Sequence, residues 1–236
     1  MPGGIALAIS LLLILIAGSN SREFMVDNRC NYSVWLGTIP SMDLIIFEVP
    51  PKNVLLTNAD DGWRGRIWLR THCTTNSSGG FSCLTGDCHS GVESCDGKLA
   101  EAPVTLLDFT NFSNNDTLYV YAVNLLHGFN VPVVVQPQGG PSPCQATGCP
   151  EDIKKVCPVE LQVTDTNGFT IACESECDKY HDPKVCCIDE YGSQDKCHPS
   201  GQADMFKRAC PLAHTWTYDG GIFSCAGADF NITLCP

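Results

Sequence analysis

The chain contains no Cys-x-x-Cys pair, although 16 of its 236 residues are cysteine. Structural metal sites usually announce themselves as such close pairs, so the absence argues for disulfides as the use of an even cysteine count. Basic charge is also scarce. Lys and Arg number 14 against 26 Asp and Glu, for a formal net charge of −12. An acidic chain repels phosphate backbones and anionic membrane surfaces, which excludes nucleic acid as an expected partner and leaves solubility as the main meaning of the charge. There is no Gly-x-Ser-x-Gly elbow, so serine-protease or lipase chemistry has no support. Beyond residues 5–17, no segment is apolar for the roughly 20 residues that a membrane-spanning helix needs.

Charge is missing altogether from residues 1–21. Residues 5–17 form an apolar run broken only by Ser10, and Gly18, Ser19, Asn20 and Ser21 then supply small residues suited to cleavage. This reads as a signal peptide over 1–21, departing from the usual form only in lacking an N-terminal Lys or Arg. The mature chain is expected to start near Arg22, in an oxidising compartment that favours disulfides. Five Asn-x-Ser/Thr sequons agree with that route: Asn31, Asn76, Asn111, Asn115 and Asn231. Asn31 and Asn231 are expected in strands too crowded for glycan transfer.

Strand-like composition dominates from residue 24 onward. The runs 34–36, 44–49 and 54–56 are β-rich and separated by Pro40, Pro50-Pro51 and turn formers at 58–62. Residues 65–70 alternate large apolar and basic side chains, as a half-buried strand does. Further strands are expected at 104–109, 117–124 and 131–135, and again within 215–235. Between them, 149–210 changes character. Pro150-Glu151-Asp152 is a good helix start, closed by Cys157-Pro158, and 173–180 and 202–209 are further short helices. Such helices are marginal alone, so the surrounding cysteines are expected to support them.

The stretch 79–95, GGFSCLTGDCHSGVESC, has neither helix nor strand period. Its glycines supply turns, and its three cysteines would have to do the holding that a core cannot. This run resembles the signature of the thaumatin-like proteins, the pathogenesis-related group-five family. Gly79, Phe81, Cys83, Thr85, Gly86, Asp87, Cys88 and Cys95 stand in the signature's places. DDGWRGRIWLRTHC resembles a second patterned stretch of that family, and NRCNYSVW its opening strand.

The resemblance implies a mainly β fold: a flattened β-sandwich with a disulfide-rich helical lobe and a small disulfide-stapled loop lobe. The sandwich would comprise 22–70, 102–150 and 211–236, the helical lobe 151–210 and the small lobe 71–101. By spacing alone sixteen thiols pair in roughly two million ways. The family's pattern implies Cys30–Cys235, Cys73–Cys83, Cys88–Cys95, Cys144–Cys225, Cys149–Cys210, Cys157–Cys173, Cys177–Cys186 and Cys187–Cys197.

It also implies an interdomain cleft associated with binding, and in some members weakly hydrolysing, β-1,3-glucans. The cleft pattern is Arg, Glu and three Asp. Arg66 takes the Arg place and Asp108 the Glu place. Ala122 and His127 stand where two of the Asp belong, and Asp219 matches the last. Glycoside hydrolysis needs two carboxyl groups flanking the bond, about 5–5.5 Å apart for retention or 6.5–9.5 Å for inversion. Asp108 and Asp219 are the catalytic pair left if the protein is a glucanase. Losing two carboxylates also removes the like-charge crowding that raises an acid's pKa. His127 is read as a partly exposed loop residue rather than a substitute acid.

The expectation is a secreted, acidic, apoplastic defence protein, with an antifungal role in view. It would bind β-1,3-glucan, another cell-wall carbohydrate or a protein receptor rather than act as an enzyme. The chain stopping one residue after Cys235, without a vacuolar tail, points the same way. A weak endo-β-1,3-glucanase is the first alternative. A scaffold presenting loops such as 39–54 to a receptor is the second. No cofactor or metal is expected, since His72, His89, His181, His198 and His214 lie near cysteines already used in bridges. A monomer is expected. Of Trp63, Trp68 and Trp216, at least two are expected in the core.

Overall fold

The computed structural model describes residues 21–42, 47–60, 62–110, 118–140 and 144–236. The leader to residue 20, the sequons at Asn111 and Asn115 and the strand expected at 44–46 lie outside the described residues. In chain order the strands are β1 (Arg22–Asn28), β2 (Val34–Ile39), β3 (Glu48–Val49), β4 (Val54–Ala59) and β5 (Gly65–Thr75). There follow β6 (Phe81–Thr85), β7 (Leu106–Thr110), β8 (Leu118–Asn124), β9 (Val133–Gln138) and β10 (Thr147–Cys149). Then come β11 (Gln162–Thr164), β12 (Thr170–Cys173), β13 (Ile222–Ala226) and β14 (Asp229–Leu234). The helices are α1 (Glu176–Tyr180), α2 (Pro183–Cys186) and α3 (Gly201–Ala209). None of these helices is long and apolar enough to cross a membrane.

The protein is mainly β. One sheet runs β10-β9-β14-β1-β4 and the other β13-β8-β7-β5-β2-β3, with β6 paired to β5. Side chains alternate across a strand, so each strand divides its residues between two faces. Ile67 and Leu69 of β5, Leu107 and Phe109 of β7, and Tyr121 and Val123 of β8 point between the sheets. There they meet Phe24 and Val26 of β1 and Phe230 and Ile232 of β14. Phe230 is the hub of this layer, with its ring 4.9 Å from Phe109, 5.5 Å from Phe24 and 5.4 Å from Tyr121. The first and last strands pair in parallel, Phe24 opposite Phe230, and Cys30–Cys235 locks them just beyond the pairing.

The opposite face of β5 carries Arg66, Trp68 and Arg70. Trp68 and Arg70 are fully buried against the small lobe. Trp68 Nε1 donates to Gly86 O at 3.0 Å. Arg70 Nη2 donates to Leu36 O at 2.9 Å and Glu93 O at 2.6 Å. Burial pushes the Arg70 guanidinium down to about 10, against the pull of Asp87 and Glu93. Gly37 is required beneath Trp68, because a Cβ there would fall 2.1 Å from Trp68 Cε2. Trp63 and Trp68 are core residues, while Trp216 is half-buried.

Eight disulfides are formed, joining Cys30 to Cys235, Cys73 to Cys83, Cys88 to Cys95 and Cys144 to Cys225 in and beside the sandwich. The others join Cys149 to Cys210, Cys157 to Cys173, Cys177 to Cys186 and Cys187 to Cys197.

Several local expectations change. The glycine-rich stretch holds a real strand, β6, whose partner β5 continues to Thr75 rather than ending at residue 70. Its ladder is set by Cys73 opposite Cys83 and by the Thr71–Thr85 hydroxyl pair at 2.8 Å, not by apolar alternation. β4 runs on to Ala59, into the first two residues of the turn expected at 58–62. The helix expected after Pro150 is a single 3-10 turn, Ile153–Lys155. Only a few residues separate two disulfide anchors there, and Pro158 disfavours helix at Cys157, so no α-nucleus can form. Cys173 belongs to β12, and the helix begins only at Glu176, capped by Ser175 Oγ accepting Asp178 N–H at 3.0 Å. Trp216 to Tyr218 lie in turns rather than a strand, and Asn31 is an exposed bend residue, not a strand residue. Asn231 lies in β14 and Asn76 is exposed.

Candidate functional site

Register across the second sheet builds the floor of a cleft. Ile39 of β2 lies opposite Arg66 of β5, Arg66 opposite Asp108 of β7, Asp108 opposite Ala122 of β8, and Ala122 opposite Ile222 of β13. These five residues form one row on the face turned away from the sandwich core. Two residues further along β7 and β8, on the same face, Leu106 is opposite Asn124. A cavity of about 440 Å³ opens over this row, walled by His214.

Asp108 is fully engaged. Its Oδ1 accepts from Arg66 Nε at 2.5 Å and its Oδ2 from Asn124 Nδ2 at 2.7 Å. Charge-assisted bonds to both oxygens fix the carboxylate in the plane of the row. Ala122 is 6 % exposed and contributes only a methyl group to the floor. Ile39 and Ile222 give the row apolar ends, so a polar centre is flanked by flat hydrocarbon.

Asp219 does not line this cavity. Its side chain is 4 % exposed and sits behind His214. Thr215 donates to Oδ2 from N–H at 2.9 Å and from Oγ1 at 2.7 Å, and Lys207 Nζ of α3 lies 3.1 Å away. His214 Nδ1 is 2.6 Å from Oδ1, a close polar contact that is not aligned as a hydrogen bond. Desolvation opposes ionisation, but the His214 and Thr215 contacts outweigh it and hold the Asp219 carboxyl below the usual carboxylate range. Asp219 therefore acts as a clasp: it ties α3 to the connection leading into β13.

His127 is placed on the turn after β8. Its Nδ1 lies 3.2 Å from both carboxylate oxygens of Asp178 in α1, which braces the sandwich against the helical lobe. The next residue, Gly128, has φ +86, and a Cβ there would stand 2.4 Å from Cys173 O, so the turn that presents His127 needs glycine. The cleft pattern thus divides three ways. Arg66, Asp108 and Ala122 share the row, Asp219 is screened by His214, and His127 faces the neighbouring lobe.

Asn124 and His214 have no counterpart in the sequence reading of the cleft. Asn124 is the last residue of β8, between the pattern positions Ala122 and His127. Its one signal is that it sits two residues beyond Ala122, on the same strand face. His214 was visible only as a histidine near Cys210. Its position depends on the bridge it forms with Asn124 and on its N–H bonding Val123 O at 2.8 Å.

A model of the thaumatin family matches residues 28–236. Thaumatin-like protein 1 of Prunus persica is 39 % identical over 235 residues, covering 96 % of this chain and 95 % of that protein. A protein of Prunus avium named glucan endo-1,3-beta-glucosidase is 36 % identical over 240 residues, covering 98 % of each chain. Among solved structures, a thaumatin-like xylanase inhibitor aligns with a TM-score of 0.48 at 20 % identity, over 90 % of this chain and 99 % of that one.

Proposed function

Because the chain belongs to the thaumatin family, we propose that it is a secreted defence-type protein that binds a β-1,3-glucan in the cleft without cleaving it. The observation that carries this reading is the commitment of both candidate carboxylates. A general acid must hold a proton near working pH and reach the glycosidic oxygen. Asp108 has both oxygens bonded, and Asp219 is buried, ion-paired and held ionised. The row offers what binding needs instead. Apolar Ile39, Ala122 and Ile222 suit the hydrocarbon face of a sugar ring, while Arg66, Asp108 and Asn124 suit its hydroxyls.

Hydrolysis by Asp108 and Asp219 is the rival reading, favoured by the name of the Prunus avium relative. Secretion draws its support from the uncharged apolar leader and from sixteen cysteines all held in disulfides. Titration with a β-1,3-linked glucose hexamer tests the site. Asp108→Asn should weaken binding about tenfold, the cost of one charge-assisted hydrogen-bond set. Unchanged affinity in that variant would remove the cleft row from the account.

A further inference from the structure

A second cavity, of about 420 Å³, lies between the helical lobe and the turns that carry His127 and Trp216, and shares no lining residue with the cavity over the row. Its wall is built by the first turn of α3, through Ser200, Gln202 and Ala203, together with α2 and the turn at Trp216. Gln202 is 5 % exposed. Its Oε1 accepts the Glu176 N–H at 3.2 Å, which fixes the orientation of the amide. The other end, Nε2, is a two-hydrogen donor without a partner. An unpaired buried donor costs free energy until something accepts from it.

The surroundings select the acceptor. None of the chain's 26 Asp and Glu lines this cavity among the described residues, whereas three of its six histidines do: His127, His181 and His198. Two carboxylates stand behind the wall and are already engaged: Asp178 by His127 and by Ser175 Oγ at 2.9 Å, and Asp219 by Thr215 and Lys207. The wall also includes the positive end of the α3 dipole, which favours an anion. In a chain of net charge −12 no carboxylate lines this cavity among the described residues. The remaining wall mixes the hydroxyl residues Ser175, Thr215 and Thr217 with apolar Val185, Ile188 and the half-buried ring of Trp216.

We infer that this cavity binds a small amphipathic carboxylate: an anionic head on Gln202 and the α3 N-terminus, and an aliphatic or aromatic body against Trp216 and Ile188. The volume lies within the range of small-molecule sites.

The test is titration of the ¹⁵N-labelled full chain, following the Trp216 indole resonance, with 4-phenylbutyrate and with 4-phenylbutan-1-ol, which has the same body but no charge. The carboxylate should bind about tenfold more tightly than the alcohol. Gln202→Leu should abolish that preference while leaving the alcohol's affinity unchanged. If Gln202→Leu does not fold, His198→Gln at an exposed position should weaken the carboxylate severalfold and spare the alcohol. Equal affinities in the wild type, or no shift with either compound, would overturn the inference. So would a preference untouched by the variant that folds. Saturation with the glucose hexamer should leave the indole response to 4-phenylbutyrate in place, since the two cavities are separate.

Discussion

The sandwich and the helical lobe are held by different physics. Between the sheets, Phe24, Phe109, Tyr119, Tyr121 and Phe230 form a continuous buried aromatic layer. In the helical lobe, α1 and α2 bury no residue at all, and α3 buries only Gln202, Ala203 and Phe206. What closes that lobe is Cys157–Cys173, Cys177–Cys186, Cys187–Cys197 and the anchor Cys149–Cys210. Helices of four or five residues cannot persist by propensity, so covalent closure replaces burial there. The row belongs to the sheet, whereas the second cavity is walled by both the stapled lobe and the turns at His127 and Trp216.

Removing the hub of the aromatic layer should have the largest effect. Phe230→Ala deletes a fully buried ring and is expected to cost about 3–5 kcal/mol, read as a lower urea midpoint for the whole chain. Removing the staple Cys177–Cys186, as Cys177→Ser with Cys186→Ser, should cost about 2–3 kcal/mol by loop closure. The contrast predicts that helical circular dichroism is lost first while the β signal persists. A single joint transition would erase the distinction between the two regions.

Asp219→Asn probes the clasp between them. It should cost about 1–3 kcal/mol at neutral pH, the range for disrupting a buried hydrogen-bonded group. Because its folded carboxyl is held low, Asp219 contributes fully above the ordinary carboxylate range near pH 4 and loses that contribution as pH falls further. Stability against pH should therefore slope less steeply below pH 4 in the variant, as measured by denaturant titration. The smallest expected change is Ser200→Ala, which removes the α3 cap bond from Ala203 N–H and should cost about 1 kcal/mol within the helical lobe.

Much of the sandwich was legible because period-two alternation survives where one strand face is buried, as at Ile67, Leu69 and Leu107. β6 was not, since its pairing comes from a disulfide and a hydroxyl contact that leave no apolar pattern. The turn after Pro150 carried good helix-start residues, yet its length and its two cysteine anchors decided the outcome. In the cleft, Arg66, Asp108 and Ala122 were grouped through the family resemblance alone, and strand register is what makes them neighbours. The burial of Asp219 was not, because it depends on Lys207 and His214, which come from separate segments. Gln202 gave no signal either: an amide in a helix acquires meaning only when its surroundings leave it unpaired.

The most direct measurement mixes the folded protein with insoluble β-1,3-glucan and assays bound protein and released reducing sugar in the same tube. The account predicts that protein sediments with the glucan and that sugar release stays at the level of the Asp108→Asn, Asp219→Asn double variant. Release that exceeds the double variant would contradict it, and would make Asp108 and Asp219 catalytic groups.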